Sequence, residues 1–445
     1  MINDNITAIS TALAPAGVAV IRISGKTALN VAEKMFVPSS KIPLSKFIAN
    51  KLYTGEILGD GLSDFGMCVY FKEPHSFTGE NTIEFHCHGG VEIAKSILKK
   101  ALMSGARLAN NGEFTKRAFI NGKLSLSSAE GMINMINGES LCQVRAGYSL
   151  YREKLTKEAE QLQGKLLSAL SHIEASIDYP EEGLEEVSLL EVKKTLDEVC
   201  NKIENLLTTY STGRAIKNGI NVAIVGKPNT GKSSLLNALL SFDKAIVSDV
   251  AGTTRDAVEG SIEYKGIRFN FIDTAGIRES QDKIENIGVA LSKKFLQSSQ
   301  LVLFVLDGGD ISKEDEEIFE LIKDKNTLIV LNKIDKEHIV DKRAEICVSA
   351  LNKTNLEQLK EQIFLKTVGD NVDLNGDFLC EERHYQALKG AKEKLLCAKQ
   401  NISLVPLDLL SIDIKDGWEK LGEISGSTAT EEIINDIFSR FCVGK

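Results

Sequence analysis

Eight consecutive residues set the first chemical constraint. Gly226-Lys227-Pro228-Asn229-Thr230-Gly231-Lys232-Ser233 has the spacing G-x-x-x-x-G-K-S. In that pattern the glycines let successive backbone N–H groups wrap a phosphate chain. Lys232 is placed to reach the β- and γ-oxygens and Ser233 to ligate Mg2+ through its hydroxyl. Asn229, Thr230, Gly231 and Ser234 complete the cradle. The apolar run Ile220–Val225 leads straight into the loop, and Ser234–Leu240 leaves it with helical spacing. A helix N-terminus therefore faces the anion. A second apolar run, Ile267–Ile272, ends on Asp273-Thr274-Ala275-Gly276. An Asp at a strand end holds Mg2+ through water, and Gly276 leaves room for its N–H to sense a γ-phosphate. Between the two lies Gly252-Thr253-Thr254-Arg255-Asp256. There the Thr254 hydroxyl completes the Mg2+ shell only while a triphosphate is bound, which is the order–disorder switch of a GTPase.

The base is selected further on. In Asn332-Lys333-Ile334-Asp335 one carboxylate, Asp335, accepts from both the ring N–H and the exocyclic amine of guanine, a pair that adenine lacks. The Lys333 stem covers the base, and Ser349-Ala350 supplies a backbone N–H for the guanine oxygen. These elements occur in order at domain-sized spacing and point to GTP. After Gly276, where many small GTPases carry a water-orienting Gln, the residue is Ile277. The hydrolytic water must be placed by another group, and the local carboxylates are Glu279, Asp282 and Glu285.

Positioning these residues requires alternating strands and helices. The apolar runs at 220–225, 267–272, 301–306, 327–331 and 345–348, with polar helices between them, have the rhythm of a doubly wound, mostly parallel sheet. A helical period flanks it on both sides. Leu155, Ala159, Leu162, Leu166, Leu170, Ile173 and Ile177 form one amphipathic face. Leu189 to Leu206 forms a second, beyond the turn Asp178–Gly183 with its Pro180; the acids Glu181, Glu182, Glu185 and Glu186 suit a solvated loop and helix N-terminus. The helical period returns after about 380 and runs to the end. Thr428 with Glu431 reads as a capping box for the last helix.

The first 120 residues mix short apolar runs (18–23, 66–71, 82–85) with turns and one clear helix over 91–102, a small α+β domain. The expected division is 1–120, a helical domain of 121–215 plus 375–445, and an inserted nucleotide domain of 216–374. At 445 residues the chain is too long for one core, and 43% apolar with 26% charged residues excludes disorder and low complexity.

The net charge of -9 excludes a generally basic nucleic-acid coat; residues 1–120 carry 13 Lys and Arg against 10 Asp and Glu. No apolar stretch nears the ~18 residues of a membrane span, and the start lacks a secretory signal, so the expected compartment is the cytoplasm, with no membrane. Eight Cys without a CxxC pair read as thiols. His86-Cys87-His88 places two imidazoles on one strand face without further ligands for zinc. Cys442, so near the carboxyl end, reads either as an idle thiol or as a mobile one able to enter a neighbouring site.

Taken with Arg22-Ile23-Ser24-Gly25, Phe77-Thr78-Gly79-Glu80, His88-Gly89-Gly90 and the final Phe441-Cys442-Val443-Gly444-Lys445, these motifs make the chain resemble the MnmE (TrmE) family of tRNA-modification GTPases over its whole length. Val443 stands where the family usually has Ile. The resemblance implies an N-terminal folate-binding-like domain that mediates homodimerisation and a helical domain interrupted by the GTPase domain. It further implies an FAD-dependent MnmG-like partner, in a heterotetramer, for adding an aminomethyl-type group to carbon 5 of the tRNA wobble uridine. A tetrahydrofolate derivative (5-formyl or methylene) is the implied one-carbon source. By matching motif, Arg22, Glu80, Lys123 and Lys445 would contact the folate. Asn229, with Ser248, Val250 and Thr253 of the loop that also holds Asp249, Ala251 and Gly252, would bind K+ and nucleotide. Glu285 becomes the general base or water-positioner; apart from the resemblance, the mobile reading of Cys442 makes it a candidate modification-site thiol.

The competing class is a GTP-switched RNA-binding assembly factor of the ribosome-biogenesis type. Such a factor would usually carry a basic appendix, which this chain lacks. Asp335→Asn is expected to move preference from guanine to xanthine nucleotides, because the amide donates where guanine also donates. Unchanged GTP affinity in competition binding would contradict the assignment.

Overall fold

Period-two patterning dominates the first ninety residues, and strands form there. β1 (Ile6–Ile9) and β2 (Ala16–Ser24) precede a short α1 (Ala28–Ala32). β3 (Phe36–Pro38), β4 (Leu52–Leu58), β5 (Ser63–Phe71) and β6 (Thr82–Gly89) follow. α2 (Val91–Met103), β7 (Arg107–Leu108) and α3 (Glu113–Ile120) close the segment. Helices then take over as α4 (Leu126–Ile136), α5 (Leu141–Tyr151), α6 (Lys154–Asp178), α7 (Glu185–Thr208) and α8 (Tyr210–Asn218).

Strands alternate with helices next: β8 (Ile220–Val225), α9 (Lys232–Phe242), β9 (Gly260–Tyr264), β10 (Ile267–Asp273), β11 (Leu301–Asp307) and α10 (Lys313–Ile322). β12 (Thr327–Asn332), β13 (Ile346–Cys347) and α11 (Leu356–Thr367) complete that run. The chain ends in α12 (Glu382–Asn401), α13 (Leu407–Ser425) and α14 (Glu431–Ser439). This computed structural model describes residues 4–178, 185–242, 260–273, 299–308, 312–336, 342–369 and 376–444.

Two compact units result. The first comprises Met1–Ile133, Ser149–Val199 and Gly390–Lys445, the second Asn134–Tyr148 and Cys200–Lys389. In the first, a seven-stranded sheet runs β3-β4-β5-β6-β2-β1-β7, antiparallel except for β1 with β7. Ile21, Ile23, Ile83, Phe85 and Ile97 fill its core. α6 packs along α13 through the predicted apolar face, with Leu162, Leu166 and Ile173 buried. Gln163 Nε2 donates to the Trp418 carbonyl at 2.9 Å.

In the second unit the sheet order is β13-β12-β11-β8-β10-β9, parallel apart from the edge strand β9. Its central strand Leu301–Leu306 is buried on both faces, which is why it reads as an unbroken apolar run. Among the described residues no helix is long and apolar enough to cross a membrane.

Two expectations change at the C-terminus. The cap of α14 is Thr430, whose hydroxyl accepts from the Ile433 N–H, while Thr428 Oγ1 donates to the Glu419 carbonyl at 2.8 Å. Thr428 is thereby committed to the preceding helix, so the helix starts two residues later than the box implied. Cys442 is exposed but not on a loose tail. Before it, Phe441 is buried with Ile437, Phe438, Leu126 and Ala129. After it, Val443 bridges Asn111, and Gly444 lies so close to Ile9 that an added Cβ would sit 2.4 Å from its carbonyl oxygen. Phe441→Ala is therefore expected to cost about 3–5 kcal/mol through the cavity it leaves. Denaturant unfolding followed by Trp418, the chain's single tryptophan, measures this; a loss under about 1 kcal/mol would contradict an anchored tail.

Candidate functional site

Three of the parallel strands, β8, β11 and β12, deliver their carboxyl ends to one edge of the six-stranded sheet, where open α/β sheets bind ligands. The Gly226–Ser233 loop leaves β8 there and turns into α9. Its glycines are required by space. A Cβ on Gly226 would lie 2.4 Å from the Val305 carbonyl oxygen, and one on Gly231 (φ +89°) 2.5 Å from Asn332 Nδ2. Asn229 takes φ +66°, a left-handed conformation that Asn tolerates better than most residues. Lys232 is buried, and its ammonium donates to the carbonyls of Gly226 (2.9 Å) and Lys227 (2.8 Å). Thr230 Oγ1 donates to the Lys227 carbonyl at 3.1 Å. The loop is a backbone cradle with its cation held at the rim, a donor set that fits a phosphate chain and Mg2+ at Ser233.

The base motif meets the same loop. Asn332, 1% exposed, donates from Nδ2 to the Thr230 carbonyl at 2.9 Å and accepts from the Ala350 N–H at 3.1 Å. Lys333 (φ +65°) donates to the Asn229 carbonyl at 2.6 Å. The Ser349 hydroxyl donates to the Asp335 carboxylate and holds its pKa below the ordinary value, so the group stays anionic and ready to accept from a base. Sequence reasoning missed Asp307, whose Oδ2 accepts from Lys333 Nζ at 2.7 Å. The signal was available: like Asp273, it is an Asp at the carboxyl end of a parallel strand.

Several assigned residues lie outside the described ones: Ser248, Asp249, Val250, Ala251, Gly252, Thr253, Thr254, Thr274, Ala275, Gly276, Glu285 and Lys445. So does the side chain of Asp273, although the backbone of β10 ends on that residue.

A second cluster belongs to the first unit and gathers around the turn Phe77–Glu80. The Arg22 guanidinium lies over the Phe77 and Phe114 rings, 5.7 and 5.6 Å from their centroids, and its Nε donates to Glu84 at 2.7 Å. Glu80 accepts from Ser24 Oγ at 2.8 Å and from Arg117 at 3.2 Å. The stem of Lys123 passes Gly79, its Cγ 3.3 Å from where an added Cβ would sit. Ala8, next to the Ile9 that Gly444 touches, pairs with Arg22 across the sheet. Arg22, Glu80, Lys123 and the residue before Lys445 thus share one region, whose cations suit an anionic ligand.

Sequence reasoning missed Arg117, which is fully buried and also bonds Asp4 (2.7 Å) and Glu113 (2.9 Å). Burial opposes its charge, but these carboxylates together with Glu80 outweigh it and raise its pKa. His86 and His88 turn to Glu84 and Asp64, and no cluster of metal-ligating side chains occurs among the described residues.

Known proteins match nearly the whole chain. Residues 5–123 match the family described as GTP-binding protein TrmE N-terminus, and residues 126–442 the family described as MnmE helical domain. The chain is 39% identical over its full length, and that of the relative, to the tRNA modification GTPase MnmE of Thermoanaerobacter pseudethanolicus. It is 41% identical, again over the whole of both chains, to the tRNA modification GTPase MnmE of Desulforamulus reducens.

This chain belongs to the MnmE (TrmE) family. Among solved structures, a variant of Aquifex aeolicus Era bound to GDP and AlF4- is 31% identical over 40% of this chain and 66% of that one, with a TM-score of 0.27.

Within this MnmE-family chain, the Asn332 side chain bonds two other nucleotide motifs, at Thr230 and Ala350. Asn332→Ala leaves the buried Ala350 N–H and Thr230 carbonyl without that partner, a cost of about 1–3 kcal/mol per group. The Kd for a fluorescent GDP is expected to rise by at least ~10-fold. A Kd within twofold of the parent would contradict the assignment.

Proposed function

We propose that the chain is a K+-stimulated GTP hydrolase of tRNA modification. It converts GTP to GDP and phosphate. With an FAD-dependent MnmG-like partner, in a heterotetramer, it adds a carboxymethylaminomethyl or aminomethyl group at carbon 5 of the tRNA wobble uridine. The observation that carries the reading is the junction of three motifs at Asn332, which joins a phosphate cradle to a guanine-selecting carboxylate. Full-length likeness to relatives named for tRNA modification supports the second half. In this reading residues 1–120 form the folate-binding and homodimerising domain, 121–215 with 375–445 the helical domain, and 216–374 the inserted GTPase domain. The protein works in the cytoplasm.

Ser233 and Thr254 would hold Mg2+, with Asp273, Thr274, Ala275 and Gly276 facing the γ-phosphate. Asn229, Ser248, Val250 and Thr253 would hold K+, which supplies positive charge where the transition state builds negative charge on the phosphate oxygens. Glu285 would orient the attacking water in place of the missing Gln. Arg22, Glu80, Lys123 and Lys445 would hold a 5-formyl- or methylene-tetrahydrofolate, the source of the one-carbon unit. Cys442, exposed on a tail held by Phe441 and Val443, would be the modification-site thiol.

Replacing K+ by Na+, or Glu285 by Ala, is expected to lower kcat for GTP at least about tenfold, some 1.4 kcal/mol of barrier, with nucleotide affinity little changed. Cys442→Ser should weaken tRNA modification and spare hydrolysis. Equal rates in both salts together with a fully active Glu285→Ala would overturn the hydrolytic mechanism. Equal loss of both activities in Cys442→Ser would overturn a separate modification site.

A further inference from the structure

The second residue of the phosphate loop, Lys227, turns its side chain to the start of α10. It is 7% exposed, and its ammonium lies 3.2 Å from Asp315 Oδ2 and 3.2 Å from Ser312 Oγ. Asp315 is itself 1% exposed. Its Oδ2 also accepts from the Ser312 N–H at 2.8 Å, capping α10, while its Oδ1 has no hydrogen-bond partner among the described residues. A buried carboxylate so placed is tolerable only with a cation beside it. Lys227 supplies that cation. Its own carbonyl is the acceptor shared by Lys232 Nζ and Thr230 Oγ1. One residue therefore anchors the loop by its side chain and shapes it by its backbone.

At the other end of the β11–α10 connection, Asp307 holds Lys333 of the base motif. A segment outside the nucleotide motifs read from the sequence thus grips two of them.

We propose that the buried Lys227–Asp315 pair is a positioning device for phosphate binding. It fixes the Lys227 carbonyl, and through it the resting places of Lys232 and Thr230, so that the loop is preformed for the β-phosphate. This rests on reading Gly226–Ser233 as the phosphate cradle.

The test uses the full chain, fluorescent GDP, steady-state GTP hydrolysis and thermal unfolding. Lys227→Met and Asp315→Asn are expected each to raise the GDP Kd at least tenfold, mainly through faster release. KM for GTP should rise in step, with kcat at saturating GTP within threefold. The double variant Lys227→Met/Asp315→Leu leaves no buried charge unpaired, so its unfolding midpoint should return toward the parent while its Kd stays high. A purely structural pair would instead recover both, and that result would overturn the proposal. So would parental Kd in the single variants alongside lost binding in Lys232→Ala. If Lys232→Ala also bound normally, the phosphate-cradle reading itself would fall, and the proposal with it.

Discussion

The side-chain amide of Asn332 is the constraint on which the nucleotide site depends. It stands at the end of β12, buried, where neither its donor nor its acceptor can turn to water. One end takes the Thr230 carbonyl and the other the Ala350 N–H, so residues more than a hundred positions apart share one rigid point. The amide also occupies the space a Cβ on Gly231 would need, so the second glycine of the loop is set by packing as well as by its positive φ. Parallel strand order makes this possible, because β8, β11 and β12 all end at the same edge. The cations Lys232 and Lys333 are then held by loop carbonyls and Asp307, and Asp335 by Ser349.

Much of this was legible in the sequence, for a definable reason. Motifs in a parallel α/β sheet sit at strand ends, and apolar runs buried on both faces mark those strands clearly; β8 spans Ile220–Val225 in both readings. Legibility failed where a residue acts through a partner distant in sequence. Arg117 and Asp315 belong to no motif in the sequence, because only folding brings Glu80 and Lys227 to them, and the strand-end position of Asp307 does not by itself name Lys333 as its partner. The cap of the last helix failed for a local reason. Thr428 and Thr430 compete for one role, and the bond from Thr428 to Glu419 decides it.

The first unit shows how a short tail acquires a fixed place. A cysteine three residues from the end would ordinarily sample many positions. Here Phe441 is buried before it and Val443 is bridged after it, so the thiol is exposed at a defined point beside β1 and α3. Around the neighbouring turn, the buried Arg117 sits among Glu80, Glu113 and the more exposed Asp4, and losing the inner carboxylates would leave its charge uncompensated. Glu80 is therefore held by the core of the fold, which gives it a direction a free surface carboxylate would not have.

Guanine-nucleotide binding at Gly226–Ser233 is proposed to serve modification of tRNA. This link is tested most directly by nucleoside analysis of wobble uridine in tRNA from cells whose only copy of this protein carries Lys232→Ala. Loss of the carbon-5 substituent to the level of cells lacking the protein is expected, with the variant still folded and present. Fully modified wobble uridine in those cells would contradict it.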